Sequence, residues 1–578
     1  MQPKRGNLMK VKIERHRGKI AILTEQASDT IRLGTLLRSV INGSNLIVSI
    51  KNGYLVPLES INVLAKHLPP ESHCWDRELQ HTALMSLNVM ESQSLAKLEV
   101  AQALDHPYHA LNDYEEIWRL DPHQVEAVAA MTVPSLQGMA LFDEQGVGKT
   151  ICGLAAFDLL RQKGLVSHLL VVAPKSVLPV WKQEIANFLK DRYSVKTVVG
   201  RQAKPLDLLQ GEVDVLLVSY EAVTRALVIL QGLVSTKKRE YMLVVDESYY
   251  VKNPVAQRSR AVAKLRQWCK RAYVLCGAPA PNSPTDVIHQ IDIADAGTTF
   301  GGLSIPADED SAAVVVEKAL GNSAIYLRRL KEEALPELPA KSIRKTFVEL
   351  QPVQDSLYRD AMTNLIIDVR QVDDTYFRKH LGVFMARKWA LLQICSNPAG
   401  IAPVYSEIPA KLLALDQIVK NIVEERGLKI IIWSFFRYSL QTIVSRYTRY
   451  GVVRIDGSVD SIQERELAVR RFQSDPSINI FVGNPAAAGA GITLTAASHA
   501  VFESFSNQPA HYLQSVDRIH RRGQQNPVTS FVLISQSTVE EREFDKLIQK
   551  ERRGHKIFGK QPREPITREG FLRDLTGD

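Results

Sequence analysis

From about residue 106 onward the chain alternates short, unbroken apolar runs with longer stretches of helical character. Leu169–Val172, Val215–Val218, Leu243–Val245 and Ala272–Leu275 form one series. Ile430–Trp433, Ile478–Val482, Ala500–Phe502 and Val528–Ile534 form a second. A strand without polar interior positions is buried on both faces, and helical stretches between such strands supply the crossovers of a parallel sheet. The pattern predicts an α/β protein with two parallel-sheet lobes. Residues 301–400 are more helical and charge-rich, without clear strand alternation, and read as a helical insertion and linker.

The first hundred residues follow another pattern. Lys19–Thr24 has strand character, and Leu46–Lys51 and Tyr54–Val56 flank Asn52-Gly53. That dipeptide suits a type I′ turn and predicts a hairpin. Ser60 is placed to cap a short helix through Leu68, stopped by Pro69-Pro70. The expected organisation is a small α+β accessory domain over 1–105, a first lobe over 106–300, the linker over 301–400, a second lobe over 401–560 and a tail over 561–578.

Composition narrows the class. The 578 residues are 45% hydrophobic and 23% charged, with a net charge of +9 and pI near 9.1. A moderate basic excess is compatible with a polyanionic partner without demonstrating one. Lys4, Arg5, Lys10, Lys12, Arg15, Arg17 and Lys19 face only Glu14, a run that reads first as a solvated face. No apolar region follows it, so no secretory signal is expected. Nor does any apolar run reach the ~18 residues that span a bilayer. The five cysteines are scattered, with no C-x-x-C pair, which points to a reducing compartment without a disulfide framework or zinc ribbon. A soluble intracellular protein without membrane contact is expected.

The chemistry concentrates at strand ends. Leu141-Phe-Asp-Glu-Gln-Gly-Val-Gly-Lys-Thr-Ile151 reads as a phosphate-binding loop, although Asp143 stands where G-x-x-x-x-G-K-[ST] expects its first glycine. Gly146, Val147 and Gly148 offer backbone N–H groups to phosphate oxygens, Lys149 reaches the β- and γ-phosphates, and Thr150 can ligate Mg²⁺. About one hundred residues later, Asp246-Glu247 ends an apolar run. Asp246 is suited to hold Mg²⁺ and Glu247 to activate a water, which makes the pair the expected second half of an ATP-hydrolysing site. Gln124, in the first turn of a helix before the loop, has the donor and acceptor an adenine edge requires.

In order and spacing these blocks resemble the motifs of helicase superfamily two, specifically its Swi/Snf-type DNA translocases, in the motif style of its compact bacterial, phage and annealing-helicase-like members. The loop is similar to the family's Asp-Glu-x-Gly-x-Gly-Lys-Thr, so Asp143 is a family trait. Asp246-Glu247 with Lys252-Asn253 resembles Asp-Glu-x-His-x-x-Lys-Asn, but Tyr249 stands where the histidine is usual. The resemblance implies RecA-like lobes, ATP and Mg²⁺, and duplex DNA as partner. It implies nucleic-acid contacts at Lys175, Ser176 and Trp181, at Ser219 and Tyr220, at Trp433 and Ser434, and at Thr493. Gly491 of a Gly-rich block would touch the nucleotide. Arg518 and Arg521, framed by Gln514 and Gln524, would reach the ATP held by the first lobe, and their i, i+3 spacing would place them on one helix face. Leu327-Arg-Arg-Leu-Lys331 is similar to the inter-lobe segment. Asn507-Gln508-Pro509 departs from the family's Trp-Asn-Pro.

The activity these residues imply is an ATP-dependent duplex-DNA translocase, acting in the cytoplasm and on the nucleoid, or in the nucleus if the source is eukaryotic. Two alternatives stay open: a strand-separating helicase on DNA or RNA, and a nucleic-acid-binding scaffold whose ATPase has decayed. The accessory domain is a candidate docking point for a protein partner.

Overall fold

The computed structural model describes residues 10–41, 46–190, 192–199, 213–236, 239–280, 283–301, 303–323, 325–459, 462–488, 492–506, 509–555 and 567–577. The main chain divides after Leu330 into two compact units.

The first unit opens with a five-stranded sheet of β1 (Val11–His16), β2 (Lys19–Thr24), β3 (Val48–Ile50), β4 (Gly53–Pro57) and β5 (Cys74–Trp75), in the order β3-β4-β2-β1-β5. The expected hairpin is β3–β4. The turn differs from the type I′ Asn52-Gly53 expected: Ile50 pairs with Gly53, so Lys51 and Asn52 make the turn, and of the two only Asn52 takes a left-handed φ, +62°. Gly53 sits in the strand, where an added Cβ would fall 2.1 Å from the carbonyl oxygen of Ile22. Helix Ile61–His67 follows Ser60, but the Ser60 side chain makes no capping bond, against expectation. The 29-residue helix Arg77–Asp105, unforeseen in the sequence, is capped by Asp76, which accepts from Glu78 N and Leu79 N at 3.0 and 3.4 Å. This helix fastens the small sheet to the lobe behind it. The His81 ring stacks on Trp268 at 4.2 Å, and the Glu99 carboxylate holds both N and Oγ of Ser135 at 3.0 Å.

The rest of the unit is one parallel sheet of β6 (Gly138–Leu141), β7 (His168–Ala173), β8 (Val195–Val198), β9 (Val215–Ser219), β10 (Tyr241–Asp246), β11 (Arg271–Leu275) and β12 (Tyr326–Leu327). The order is β12-β6-β11-β10-β7-β9-β8. All six residues of β10 are buried. Each such aliphatic side chain contributes roughly 1.5–3 kcal/mol by leaving water.

The second unit carries a parallel six-stranded sheet of β13 (Lys341–Val348), β14 (Ile430–Trp433), β15 (Val452–Ile455), β16 (Ile480–Gly483), β17 (His499–Phe502) and β18 (Val528–Ser535), ordered β13-β18-β17-β14-β16-β15. All eight apolar runs singled out in the sequence are strands, and both sheets are parallel.

The segment 301–400, read as a helical insertion and linker, holds strands as well as helices and is shared between the two units. Helix Glu309–Ser323 and β12 belong to the first unit, whereas β13 and helices Pro352–Gln371 and Leu381–Ser396 belong to the second. β13 hid in the sequence because it is an edge strand, largely exposed and bearing Lys341, Arg344 and Lys345, the kind of charge that discourages further pairing. The C-terminal stretch is not a bare tail either. Helix Arg568–Thr576 buries Phe571 and Leu575 among Tyr358, Leu365, Phe377 and Phe384. Among the described residues no helix is long and apolar enough to cross a membrane.

Candidate nucleotide site and nucleic-acid motifs

β6 delivers the chain into the loop, and helix Lys149–Gln162 leaves it. Gly146 and Gly148 adopt φ of +85° and +93°, values that a Cβ would strain. At Gly148 the approach is also close: an added Cβ would lie 2.2 Å from Nε2 of Gln124. The Gln124 amide therefore lies against the loop. Its Oε1 accepts from Asp121 N at 3.0 Å and closes a capping box, so the same side chain also serves helix Pro122–Met131. Val147 is buried, and Thr150 stands half-buried at the helix start. Lys149 Nζ donates to the carbonyls of Asp143 and Glu144 at 2.8 and 3.0 Å.

Asp246 closes β10, separated from β6 by the single strand β11, so the two acids and the phosphate loop emerge from the same edge of one sheet. Asp246 is 6% exposed. Its Oδ2 accepts from Trp181 Nε1 and its Oδ1 from Glu247 N, both at 2.8 Å, while the Tyr220 hydroxyl donates to its carbonyl at 2.7 Å. Burial pushes the carboxyl above the ordinary aspartate range, opposed by the Trp181 bond, the Lys149 charge and the Glu247 amide. Glu247 sits at φ +49°, a left-handed conformation that L-residues pay for and that turns the chain sharply after the strand.

These contacts revise several expectations. Trp181 is 0% exposed and Tyr220 1%, so neither side chain is available to nucleic acid; both hold Asp246 instead. Ser219 is buried and caps the following helix by accepting from Ala222 N at 3.3 Å. Trp433 is buried against Phe481, and Ser434 donates to Glu503 Oε2 at 2.8 Å inside the second unit. Apolar and small residues at strand ends read alike whether they face a ligand or the core, which is why the motif alone misplaced them. Lys175 is exposed and Ser176 half-buried.

Tyr249 packs on Tyr250 at 4.7 Å, and Tyr250 stacks in turn on Tyr220 at 5.2 Å. Burial and the neighbouring Glu247 raise the Tyr249 hydroxyl far above its usual range, so it stays neutral where a histidine would titrate. The sequence reading missed Gln290 and Asp286. Ser248 Oγ donates to Gln290 Oε1 at 2.6 Å, and Gln290 Nε2 donates to Pro279 O at 2.6 Å. Lys252 Nζ reaches Asp286 Oδ2 at 2.9 Å. The acid motif is thus tied to the loop after β11 and to the turn that follows it. The only available signal was the capping pattern Ser283-Pro-Thr-Asp286.

In the second unit, Arg518 lies in the last turn of helix Pro509–Ile519 but Arg521 lies beyond its end, so the two do not share a helix face. They converge on one short stretch instead. Arg518 Nη1 donates to Ile492 O and Arg521 Nη1 to Thr493 Oγ1, both at 3.1 Å. Thr493 is engaged by that arginine rather than standing clear for nucleic acid. Gln524 Nε2 donates to Ala497 O at 2.7 Å, and Lys331 Nζ donates to the Asp517 carboxylate and to His520 O, the latter at 3.2 Å. Gly491, Asn507 and Gln508 lie outside the described residues.

Among the described residues no group of three or more His, Cys, Asp or Glu side chains is arranged to hold a metal ion. A magnesium ion held by Thr150, Asp246, nucleotide oxygens and water fits this donor set, because Mg²⁺ keeps several waters and needs few protein ligands.

Residues 123–399 match the SNF2-related domain and residues 410–523 the helicase conserved C-terminal domain. The chain is 26% identical over 426 residues to the DNA annealing helicase and endonuclease ZRANB3 of Mus musculus, covering 69% of this chain and 37% of that protein. It is 25% identical over 507 residues to the DNA repair and recombination protein RAD54-like of Homo sapiens, covering 76% of this chain and 66% of that protein. It thus spans about a third to two thirds of the length of these curated relatives. Among solved structures it is similar to the Sulfolobus solfataricus SWI2/SNF2 ATPase core in complex with dsDNA, at 23% identity and a TM-score of 0.35, with 79% of this chain and 96% of that chain covered.

Proposed function

The chain belongs to the SNF2-type branch of helicase superfamily two, and from that premise we propose that it is an ATP-dependent motor that moves along double-stranded DNA. The observation that carries the reading is the shared sheet edge. The phosphate loop follows β6, Asp246-Glu247 follows β10, and one strand separates them, which brings a phosphate cradle and two acids to one ligand-binding edge.

In this reading Gln124 recognises the adenine edge, the amides of Gly146, Val147 and Gly148 receive phosphate oxygens, and Lys149 neutralises the β- and γ-phosphates. Thr150 and Asp246 would hold magnesium, which when bound would supply charge neutralisation on the transferred phosphoryl group. Glu247 orients and deprotonates the attacking water. Arg518 and Arg521 of the second lobe stabilise the charge that develops in the transition state, since guanidinium forks fit phosphate oxygens. Coupling to DNA follows if closure of the lobes changes their backbone contacts in turn. Lys175 and Ser176 are the contacts best supported by exposure. Residues 1–105 form an accessory domain for a protein partner, ahead of a first lobe that runs on to Leu330 and a second that takes up from Lys331.

The test is an ATPase panel on the full chain with duplex, single-stranded and forked DNA and with RNA, alongside Lys149→Ala and Glu247→Gln. Stimulation by duplex DNA that both variants lose is expected. Stimulation by single-stranded RNA alone would favour a strand-separating helicase. Equal, slow hydrolysis by wild type and Lys149→Ala would favour a scaffold with a decayed ATPase.

A further inference from the structure

We propose that Arg329 is a positioning residue for nucleotide recognition, locking the phosphate loop and the Gln124 helix into one register. The proposal rests on the reading that this loop binds ATP. Arg329 follows β12, whose Tyr326 and Leu327 pair with Ala140 and Leu141 of β6, so the segment runs beside the loop. Phe142 N and Glu144 N donate to the carbonyls of Leu327 and Arg329 at 2.8 and 3.0 Å. Backbone and side chain of Arg329 then close on Asp143. Its N and Nε donate to Oδ1 at 2.9 and 3.2 Å, and Nη2 donates to Oδ2.

Asp143 is 0% exposed. It occupies the position where a phosphate loop ordinarily has glycine, and its buried carboxylate is held by a two-pronged guanidinium and an amide. The other face of the same guanidinium reaches the helix Pro122–Met131. Nη1 donates to His123 O, and to Glu126 Oε2 at 3.1 Å. Gln124 lies between those two residues in sequence, and its amide closes on the loop at Gly148. One side chain therefore cross-links the element that carries the phosphate donors to the element that carries the adenine-reading group. A planar fork with donors on both edges can do this, whereas the point charge of a lysine cannot span the same set of acceptors. Nothing in the motif pattern marks Arg329 for such a role, since the Arg328-Arg329 pair reads equally as surface charge on a helix. In the structure neither residue is helical.

The experiment compares wild type, Arg329→Lys, Arg329→Gln and the double variant Arg329→Gln/Asp143→Asn as full chains. It measures KM and kcat for ATP and for GTP with saturating duplex DNA, and the affinity for a fluorescent ADP analogue without DNA. Arg329→Lys is expected to raise KM for ATP about tenfold with kcat changed less than about threefold, and to reduce the preference for ATP over GTP. The double variant, which strands no charge, is expected to melt near wild type yet keep the KM and base-preference defects. Loss of fold alone moves neither base preference nor the KM-to-kcat split. Wild-type KM and base preference in Arg329→Lys, or their restoration in the double variant, would overturn the proposal. Absence of ADP binding by wild type would instead sink the nucleotide-site reading beneath it.

Discussion

Replacing Trp181 by phenylalanine separates the two roles this residue can have. Its indole is buried and donates to Asp246 Oδ2 at 2.8 Å. Trp181→Phe keeps most of the ring and deletes the N–H. A hydrogen bond to an ionised group is worth about 1.5–3 kcal/mol net, and the void left by the smaller ring adds about 1 kcal/mol. A stability loss of about 2.5–4 kcal/mol is therefore expected in urea unfolding. The catalytic signature is sharper. Burial already raises the Asp246 carboxyl, and the indole bond is the largest influence pulling it back. Without that bond the group rises further, so the acid limb of the pH–rate profile should move to higher pH. Stability moves in the same sense. A carboxyl raised in the folded state favours folding fully below its ordinary value near ~3.9 and loses that contribution as pH rises through the folded value. The variant should extend this decline to higher pH. The assay is ATP hydrolysis from pH 5 to 9 on saturating duplex DNA, together with a DNA titration at fixed pH. An unmoved acid limb combined with a raised DNA requirement would refute the buried-ligand role and return Trp181 to the nucleic-acid surface.

Gly148→Ala places a Cβ at φ +93° and 2.2 Å from Gln124 Nε2, so ADP-analogue binding should weaken more than about tenfold while the rest of the lobe melts normally. Lys331→Met breaks a buried pair with Asp517, a change that costs about 3–5 kcal/mol when one charge is stranded. Its kcat should fall while ADP binding persists, and adding Asp517→Asn should recover stability but not rate. Burial holds His289 down to about 4 from 6.5. Its contribution to stability is present above the unfolded value and is lost as pH falls through this window. The unfolding free energy should thus drop by up to about 3 kcal/mol between pH 7 and pH 4, a slope that His289→Asn reduces in denaturation measured across that range.

The legibility of the site varied with the kind of residue. Lys149, Thr150, Asp246 and Glu247 stand out as candidates in the sequence because the chemistry proposed for them demands a fixed spacing from glycines or from the end of an apolar run. Gln290, Asp286 and Glu503 do not, because a polar residue far along the chain carries no mark of the partner it will meet. Trp181, Tyr220, Trp433 and Ser434 were visible as motif members, but the direction of their side chains was not. β13 escaped notice because an edge strand needs charge on its free side, and Arg77–Asp105 because its long surface is mixed rather than strongly amphipathic.

Two parallel sheets, the β3–β4 hairpin and a glycine-rich loop followed by paired acids at a strand end were already legible in the sequence. These are consequences of local periodicity and of spacing within a few turns of chain. Packing, and not spacing, turns Trp181 and Tyr220 onto Asp246, brings Arg518 and Arg521 from different backbone settings to residues 492–493, and sets Arg329 against Asp143. Each of these depends on which distant strand or helix folds alongside. A buried carboxylate such as Asp143 announces only that it needs a partner, and strand pairing between β6 and β12 determines which arginine arrives.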